Sequence, residues 1–174
     1  SSSALHAKAG AMYFKTLGVP LEKLCVGTPL YAMVMRMTEL PAAPSATIGA
    51  AVEPQKPTLD SVTEEDLKAL IAEAASGYTI SRVGVRYVMG ESFDSGKTGW
   101  HCLYDEGSGA PWMYNDDPQS PYYLWFLSYE NQLSLQEKLD YINEKSLGGI
   151  IIWESSEDTS EHAFLAQMRG NLLD

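Results

Sequence analysis

Three carboxylates follow the tryptophan that ends an apolar run: Glu154, Glu157 and Asp158 come shortly after Trp153. Carboxylates grouped at the end of a strand can perform general acid–base chemistry or bind a hard metal ion. Alternatively, they belong to a solvated loop in which Asp158 caps the next helix. Residue type and spacing alone leave both interpretations open.

Other groups that could do chemistry are scattered. The three histidines, His6, His101 and His162, have no spacing that would chelate zinc. The chain has no glycine-rich phosphate loop and no Gly-x-Ser-x-Gly nucleophile elbow. We therefore predict no metal site and no cofactor.

The elements around Trp153 indicate how these residues are positioned. The run from Leu147 to Trp153 is apolar without alternation, which predicts a fully buried parallel strand. Before it, Ser134 and Glu137 are spaced as a capping box, and Gly148 with Gly149 can end that helix in a left-handed turn. Helix, glycine turn, buried strand and polar loop form the unit of an α/β barrel, whose chemistry lies at the carboxyl ends of its strands.

The rest of the chain predicts further elements of both kinds. Near its start we expect a helix over residues 4–17 and a strand from Leu24 to Met35, interrupted at Gly27 and Pro29. Residues 40–125 read as a mixed α+β insertion. It includes a helix over 62–75, β-prone residues 78–89 and a short strand from Trp100 to Leu103. A last helix is expected from Ser160 to Arg169.

Composition excludes several classes of function. The chain has 174 residues, 45% of them hydrophobic, and a formal net charge of −11. Nucleic acid is excluded as a partner because phosphate recognition needs clusters of Lys and Arg. We expect no membrane segment, since no apolar run approaches the roughly 18 residues required. Of the two cysteines, Cys25 is expected to be a buried thiol, and the pair does not identify a compartment.

Three stretches resemble the carboxyl-terminal half of family-18 glycoside hydrolases, the chitinases that carry a small insertion domain. The first resembles the seventh barrel strand, the second the insertion's turn, and the third the eighth strand with its preceding helix. They are Leu17-Gly18-Val19-Pro20 with Lys23, Gly27, Pro29 and Tyr31; Tyr104-Asp105-Glu106 with Ala110-Pro111-Trp112; and Ser128-Tyr129-Glu130-Asn131 with Gly148-Gly149 and Trp153 through Asp158.

This resemblance implies a partial (β/α)8 TIM barrel of the α/β class. Residues 1–39 and 126–174 would form its carboxyl-terminal part, and 40–125 the insertion domain. A complete barrel typically needs about 250 residues. The family's catalytic signature, Asp-x-x-Asp-x-Asp-x-Glu, does not occur in the chain. We therefore expect the catalytic acid to lie outside it, and the carboxylates after Trp153 to be structural, since Asp158 matches a structural position of the family.

The resemblance also implies sugar-binding residues. Trp153 would form the floor of the central subsite, because an indole can stack on a pyranose ring. Tyr31 would be a wall or a hydroxyl donor, and Trp100 would line one side of the groove. The chain departs from the family pattern beside them, with Met33 and Cys102 where arginines are usual. Two further tryptophans, Trp112 and Trp125, are expected in the insertion's core.

Together these expectations describe part of an enzyme. The chain would supply groove residues for chitin or N-acetylglucosamine oligosaccharides and would be inactive alone. Its partner would be the amino-terminal half of the barrel, from the same precursor or a separate chain, because an isolated arc of strands leaves open edges. The alternative is a chitinase-like lectin or a truncated pseudoenzyme acting as an assembly subunit. Only the resemblance favours secretion.

Overall fold

The computed structural model describes residues 7–42, 83–84, 99–106, 108–120 and 122–172. The helix predicted over 62–75 lies outside the described residues, as do most of the β-prone residues 78–89. Within the described ranges, no helix combines the length and apolarity needed to cross a membrane.

Two parallel strands form the first sheet. Strand β1, Cys25–Pro29, pairs with β7, Gly149–Trp153, with Pro29 opposite Trp153. The parallel pairing confirms the prediction from the apolar run. Full burial of that strand was wrong, because Ile151 is 60% exposed and Trp153 57% exposed. Helices cover only one face of the pair, so alternate side chains of β7 face outward.

The covered face of the parallel pair packs against three helices: α1, Ala7–Thr16; α2, Gln132–Lys145; and α3, Ala163–Leu172. Their apolar stripes meet the strands in two adjoining clusters. One cluster has fully buried residues from three segments at its centre. They are Leu30, Leu135, Leu139 and Phe164. The other packs Val26 of β1 against Ala11 of α1 and Ile142 of α2. Burial of these stripes holds the three helices to the sheet.

Helix α2 begins three residues earlier than its sequence signal predicted. Asn131 is the N-cap, and its side-chain oxygen accepts from the Ser134 backbone N–H at 2.9 Å. The Ser134 hydroxyl accepts in turn from the Asn131 backbone N–H at 3.0 Å. Ser134 is thus the third residue of a capping box. The predicted glycine stop was also wrong, since Ser146 holds the left-handed conformation, at φ 51°.

The first and last predicted helices are observed with shifted bounds. The first was expected over 4–17 and spans Ala7–Thr16, with Ala11 as its buried residue. Tyr13, Phe14 and Leu17 lie exposed at its carboxyl end. The last helix was expected from Ser160 to Arg169 and spans Ala163–Leu172, with Phe164 and Met168 buried.

An antiparallel sheet of five described strands forms the second layer, in the order β3-β2-β6-β5-β4. Its strands are β2, Tyr31–Arg36; β3, Val83–Gly84; β4, Trp100–Asp105; β5, Ala110–Asn115; and β6, Trp125–Ser128. The single strand predicted from Leu24 to Met35 is therefore two strands in different sheets, separated by Leu30. Because β2 and β6 belong to this sheet, the sheet includes residues from both sides of the range 40–125. Those domain bounds stay a prediction.

Neither cysteine is buried. Cys25 is exposed at the start of β1, on the face that carries no helix. The expectation of a buried thiol was wrong because this strand has only one covered face. Cys102 is exposed on β4. Burial, and in addition a hydrogen bond with Cys102, raises the pKa of Tyr129.

Candidate functional site

Trp153 occupies the carboxyl end of β7 on the uncovered face of the parallel pair. Its carbonyl accepts a hydrogen bond of 2.8 Å from the Leu30 backbone N–H, which joins this strand end to the exit of β1. The peptide bond from Trp153 to Glu154 is cis. With 57% of the residue exposed, the indole can stack on a flat apolar ligand surface.

Tyr31 follows the residue whose backbone N–H bonds the Trp153 carbonyl, so its backbone lies near the end of β7. Leu30 is fully buried among the helices. Pro29 lies on the uncovered face, because paired residues of neighbouring strands point to the same side as each other. Pro29 is the register partner of Trp153. Tyr31 is partly exposed at the start of β2, and its predicted sugar contact stays a prediction.

Trp100 lies apart from these two residues. It is 7% exposed, and its ring contacts Tyr122 with 5.6 Å between centroids. The strand register places Tyr31 on one face of the antiparallel sheet with His101, so Trp100 belongs to the opposite face. Its predicted role in the groove stays a prediction.

The two tryptophans expected in the core of the insertion are buried. Trp112 is 4% exposed and Trp125 2% exposed. Trp112 packs beside Phe126, and Trp125 meets Tyr122 edge-on. These contacts confirm packing roles for both residues.

The carboxylates after Trp153 include a helix cap. Asp158 is buried and accepts backbone N–H bonds from Phe164 at 3.2 Å and Leu165 at 2.9 Å, at the start of α3. Glu154 accepts from the Ser156 hydroxyl at 2.7 Å. In the described ranges, no three His, Cys, Asp or Glu side chains come together as a metal site would require. The structure therefore supports the structural interpretation of Asp158.

A buried polar cluster lies at the end of β1, and no sequence pattern predicted it. The Thr28 hydroxyl donates to the Glu130 carboxylate at 2.7 Å. Lys138 of α2 forms an ion pair with that carboxylate and donates to Thr28 at 3.1 Å. Thr28 and Glu130 are 102 residues apart, so no local spacing could have linked them. We name Thr28, Glu130 and Lys138 the neck cluster.

A second contact joins the antiparallel sheet to α2. The Tyr104 hydroxyl of β4 donates to Glu137 at 2.7 Å. Burial, with a further contribution from this bond, raises the pKa of Tyr104 to about 12. Gly109, at φ 65°, lies so close to Glu137 that a Cβ would collide with the carboxylate. The β4–β5 turn therefore rests directly on α2.

A cleft of about 310 Å³ lies below this contact, between α1, α2 and the β4–β5 turn. Lys8, Glu106, Glu137 and Lys138 are among its lining residues. Two of these groups are already engaged, Glu137 with Tyr104 and Lys138 with Glu130. The cleft includes neither Trp153 nor Tyr31, so we place the candidate site on the uncovered strand face.

Known proteins resemble both the sequence and this arrangement. The family model described as "Glycosyl hydrolases family 18" matches residues 2–158. Chitinase ChiA of Flavobacterium johnsoniae is 26% identical over 164 residues, covering 84% of this chain and 10% of that protein. The chain therefore spans a small part of this curated relative.

Solved structures share the fold. Chitinase ChiW from a Paenibacillus strain superposes with a TM-score of 0.69 at 21% identity, covering 100% of this chain and 16% of that one. Chitinase RmChi1 from Rhizomucor miehei gives a TM-score of 0.66 at 24% identity, with coverages of 94% and 42%. A family-18 chitinase mutant from Cycas revoluta, in complex with (GlcNAc)4, gives 0.53 at 19% identity, with coverages of 97% and 37%.

Proposed function

Because the chain belongs to glycosyl hydrolase family 18, we propose that it forms the carboxyl-terminal part of a chitinase-type barrel. In this role it contributes sugar-binding residues to a groove for β-1,4-linked N-acetylglucosamine. Trp153 is the floor of the groove and Tyr31 its wall. The support for the ligand class comes from the family and from the (GlcNAc)4 complex of the Cycas revoluta chitinase.

The observation that carries this proposal is the exposure of Trp153. An indole that is 57% exposed at the end of an otherwise apolar strand is unusual unless a ligand or partner covers it. Its place at the carboxyl end of a parallel strand is where barrels build their sites. Tyr31 follows at the exit of the neighbouring strand.

The catalytic acid comes from a segment outside this chain. The Asp-x-x-Asp-x-Asp-x-Glu signature is missing from residues 1–174, and Asp158 is committed to capping α3. In the completed enzyme, that acid protonates the glycosidic oxygen while the substrate's own acetamido group replaces a second carboxylate. Configuration is retained. The chain's role is then to bind and orient the sugar.

The missing barrel segments account for the open features of the parallel pair. Strands β1 and β7 each have an unpaired edge among the described residues, and Ile151 and Trp153 of β7 are exposed. Closing a barrel pairs such edges and buries the inward-facing side chains. We propose that the amino-terminal half of the barrel, on the same precursor or a separate chain, provides this closure.

Two measurements on the 174-residue chain test the proposal. The first is turnover of a chromogenic chitobioside, for which we expect no activity above buffer. The second is calorimetric binding of the N-acetylglucosamine tetramer. Trp153→Ala should weaken binding about tenfold, as expected for loss of a stacked indole. Leu133→Ala is the control, because Leu133 is similarly exposed, at 55%, but lies on α2.

The contrary outcomes are distinct. Clear turnover of the chitobioside by the chain alone would refute the proposal that the catalytic acid lies outside this chain. Equal tetramer binding by the wild type and Trp153→Ala would refute the proposal that Trp153 forms the floor of the sugar groove. Joining the chain to a six-strand family segment that carries the acid separates the enzyme from the alternative. Hydrolysis identifies a competent part of an enzyme, whereas binding without hydrolysis identifies a lectin-like protein.

A further inference from the structure

The neck cluster lies directly behind the strand end that carries Trp153. Thr28 immediately precedes Pro29, the register partner of Trp153. Its side chain is buried on the face that the helices cover, at 2% exposure. Shortly after it, the Leu30 backbone N–H donates to the Trp153 carbonyl at 2.8 Å. The same short piece of backbone therefore carries both a member of the cluster and the bond to Trp153.

The members of the neck cluster come from separate parts of the chain. Thr28 belongs to β1, Glu130 to the connection between β6 and α2, and Lys138 to α2. The Thr28 hydroxyl acts as donor and acceptor at once, since it donates to Glu130 at 2.7 Å and accepts from Lys138 at 3.1 Å. Hydrogen bonds are directional, so these bonds restrict the position of each segment relative to the others.

An ion pair with a buried carboxylate is better explained here by position than by stability. Removal of charged groups from water costs much of what their attraction contributes, so apolar side chains of similar size could stabilise the junction about as well. Directional bonds, in contrast, favour one arrangement of the segments. We propose that the neck cluster is a positioning device of the candidate site, which holds Trp153 in its binding orientation through Thr28 and the Leu30 bond. This inference rests on the proposed function.

Positioning affects affinity because an indole stacks on a flat ligand surface only within a narrow range of orientations. Trp153 is 57% exposed, so neighbouring side chains cover less than half of it. If the strand end moves more freely, the ligand must order it on binding, and this entropy cost lowers the affinity. Loosening the neck cluster should therefore weaken binding at Trp153 although every ligand contact is still present.

Thr28→Val tests this inference, because valine keeps the branched shape of the side chain and lacks the hydroxyl. Calorimetry with the N-acetylglucosamine tetramer should give an affinity about threefold weaker than in the wild type, as for part of one lost hydrogen bond. Hydrogen exchange at the Leu30 amide should be about threefold faster, since its bond to Trp153 protects this amide. Thr28→Ser restores the hydroxyl and should return both values toward the wild type.

Two controls separate positioning from general loosening of the fold. Tyr141→Phe also removes a hydroxyl bond of α2, but that bond joins α2 to the Lys8 carbonyl of α1. It should change neither the tetramer affinity nor the exchange at Leu30. In the Trp153→Ala background, Thr28→Val should weaken tetramer binding no further, because the residue that it positions is gone. If circular dichroism shows that Thr28→Val does not fold, Thr28→Ala repeats both measurements with a smaller side chain.

The positioning role and the proposed function can fail separately. Unchanged tetramer affinity or unchanged Leu30 exchange in folded Thr28→Val, with binding still dependent on Trp153, would overturn the positioning role alone. Equal weakening by Thr28→Val and Tyr141→Phe would do the same, as would a further loss in the Trp153→Ala background. If the wild type does not bind the tetramer, or Trp153→Ala binds it equally well, the proposed function itself fails.

Discussion

Tyr104 links the antiparallel sheet to a helix of the other layer through one hydroxyl. Its bond to Glu137 is 2.7 Å long, and its pKa is raised to about 12. A tyrosine in the unfolded chain ionises near pH 10. As the pH rises from about 10 to about 12, the unfolded chain therefore loses its proton first. The stabilisation from Tyr104 is complete below about pH 10 and is lost toward pH 12.

We expect Tyr104→Phe to flatten this alkaline loss of stability. The free energy of unfolding, measured by urea denaturation between about pH 9 and 12, should fall less steeply in the variant than in the wild type. The raised pKa values of Tyr114, Tyr122 and Tyr129 leave a smaller alkaline decrease in the free energy of unfolding in Tyr104→Phe. The exposed Tyr13 provides the control, and Tyr13→Phe should match the wild type. Identical slopes for Tyr104→Phe and wild type would contradict the assignment.

At the scale of elements, the neck cluster holds together the two ends of a long excursion. The chain leaves the parallel sheet after Pro29 and returns to α2 after Ser128. Glu130, at the return, accepts from Thr28, at the exit, and Lys138 neutralises the carboxylate. Glu130 is 3% exposed, so Thr28 and Lys138 replace water as the hydrogen-bonding partners of its carboxylate. The cluster therefore fixes where the antiparallel sheet joins the parallel pair.

Removing the cation of the neck cluster should be costly. Lys138→Met leaves a buried carboxylate without its counter-ion and should lower the free energy of unfolding by about 3 kcal/mol. Lys145 is the control on the same helix. Its ion pair with Glu144 lies on the surface, so Lys145→Met should cost at most about 1 kcal/mol. Chemical denaturation measures both. Equal losses would show that the neck cluster contributes no more than a surface pair.

At the scale of the whole molecule, the uncovered face of the parallel pair exposes apolar side chains beside strand edges. Ile151 and Trp153 are exposed there, and β1 and β7 have unpaired edges among the described residues. Exposed apolar side chains beside strand edges favour association with another chain. The net charge of −11 opposes association between copies but does not cover the apolar surface.

We expect the isolated 174-residue chain to self-associate through this face. Ile151→Lys should raise the concentration needed for association about tenfold, because burial of one aliphatic side chain is worth about 1.5 kcal/mol. Sedimentation velocity over a concentration series measures this. Leu133→Lys makes the same change at a similarly exposed residue of α2 and should have little effect. A monomeric wild type at all concentrations would contradict the expectation.

Local sequence signals predicted individual helices and strands more successfully than the tertiary contacts around them. The apolar run from Leu147 to Trp153 predicted a parallel strand, and the capping spacing near Ser134 predicted the helix before it. Both depend on side chains within a few residues of one another. The motifs at Gly148-Gly149 and Trp153 also indicated the family that the comparison confirms. They placed Trp153 at a strand end, whereas the apolar periodicity predicted full burial of that strand.

Amino-acid order by itself determined the three described helices, the parallel strand that ends at Trp153, the mixed α/β class and the family, because their signals are short-range patterns of polarity and residue type. Tertiary structure alone decided which face of β7 is uncovered, and it divided residues 24–35 between two sheets at Leu30. It also joined Thr28 to Glu130 across 102 residues. Strand partners and buried ion pairs depend on register and on segments far away in the chain, which no local periodicity records.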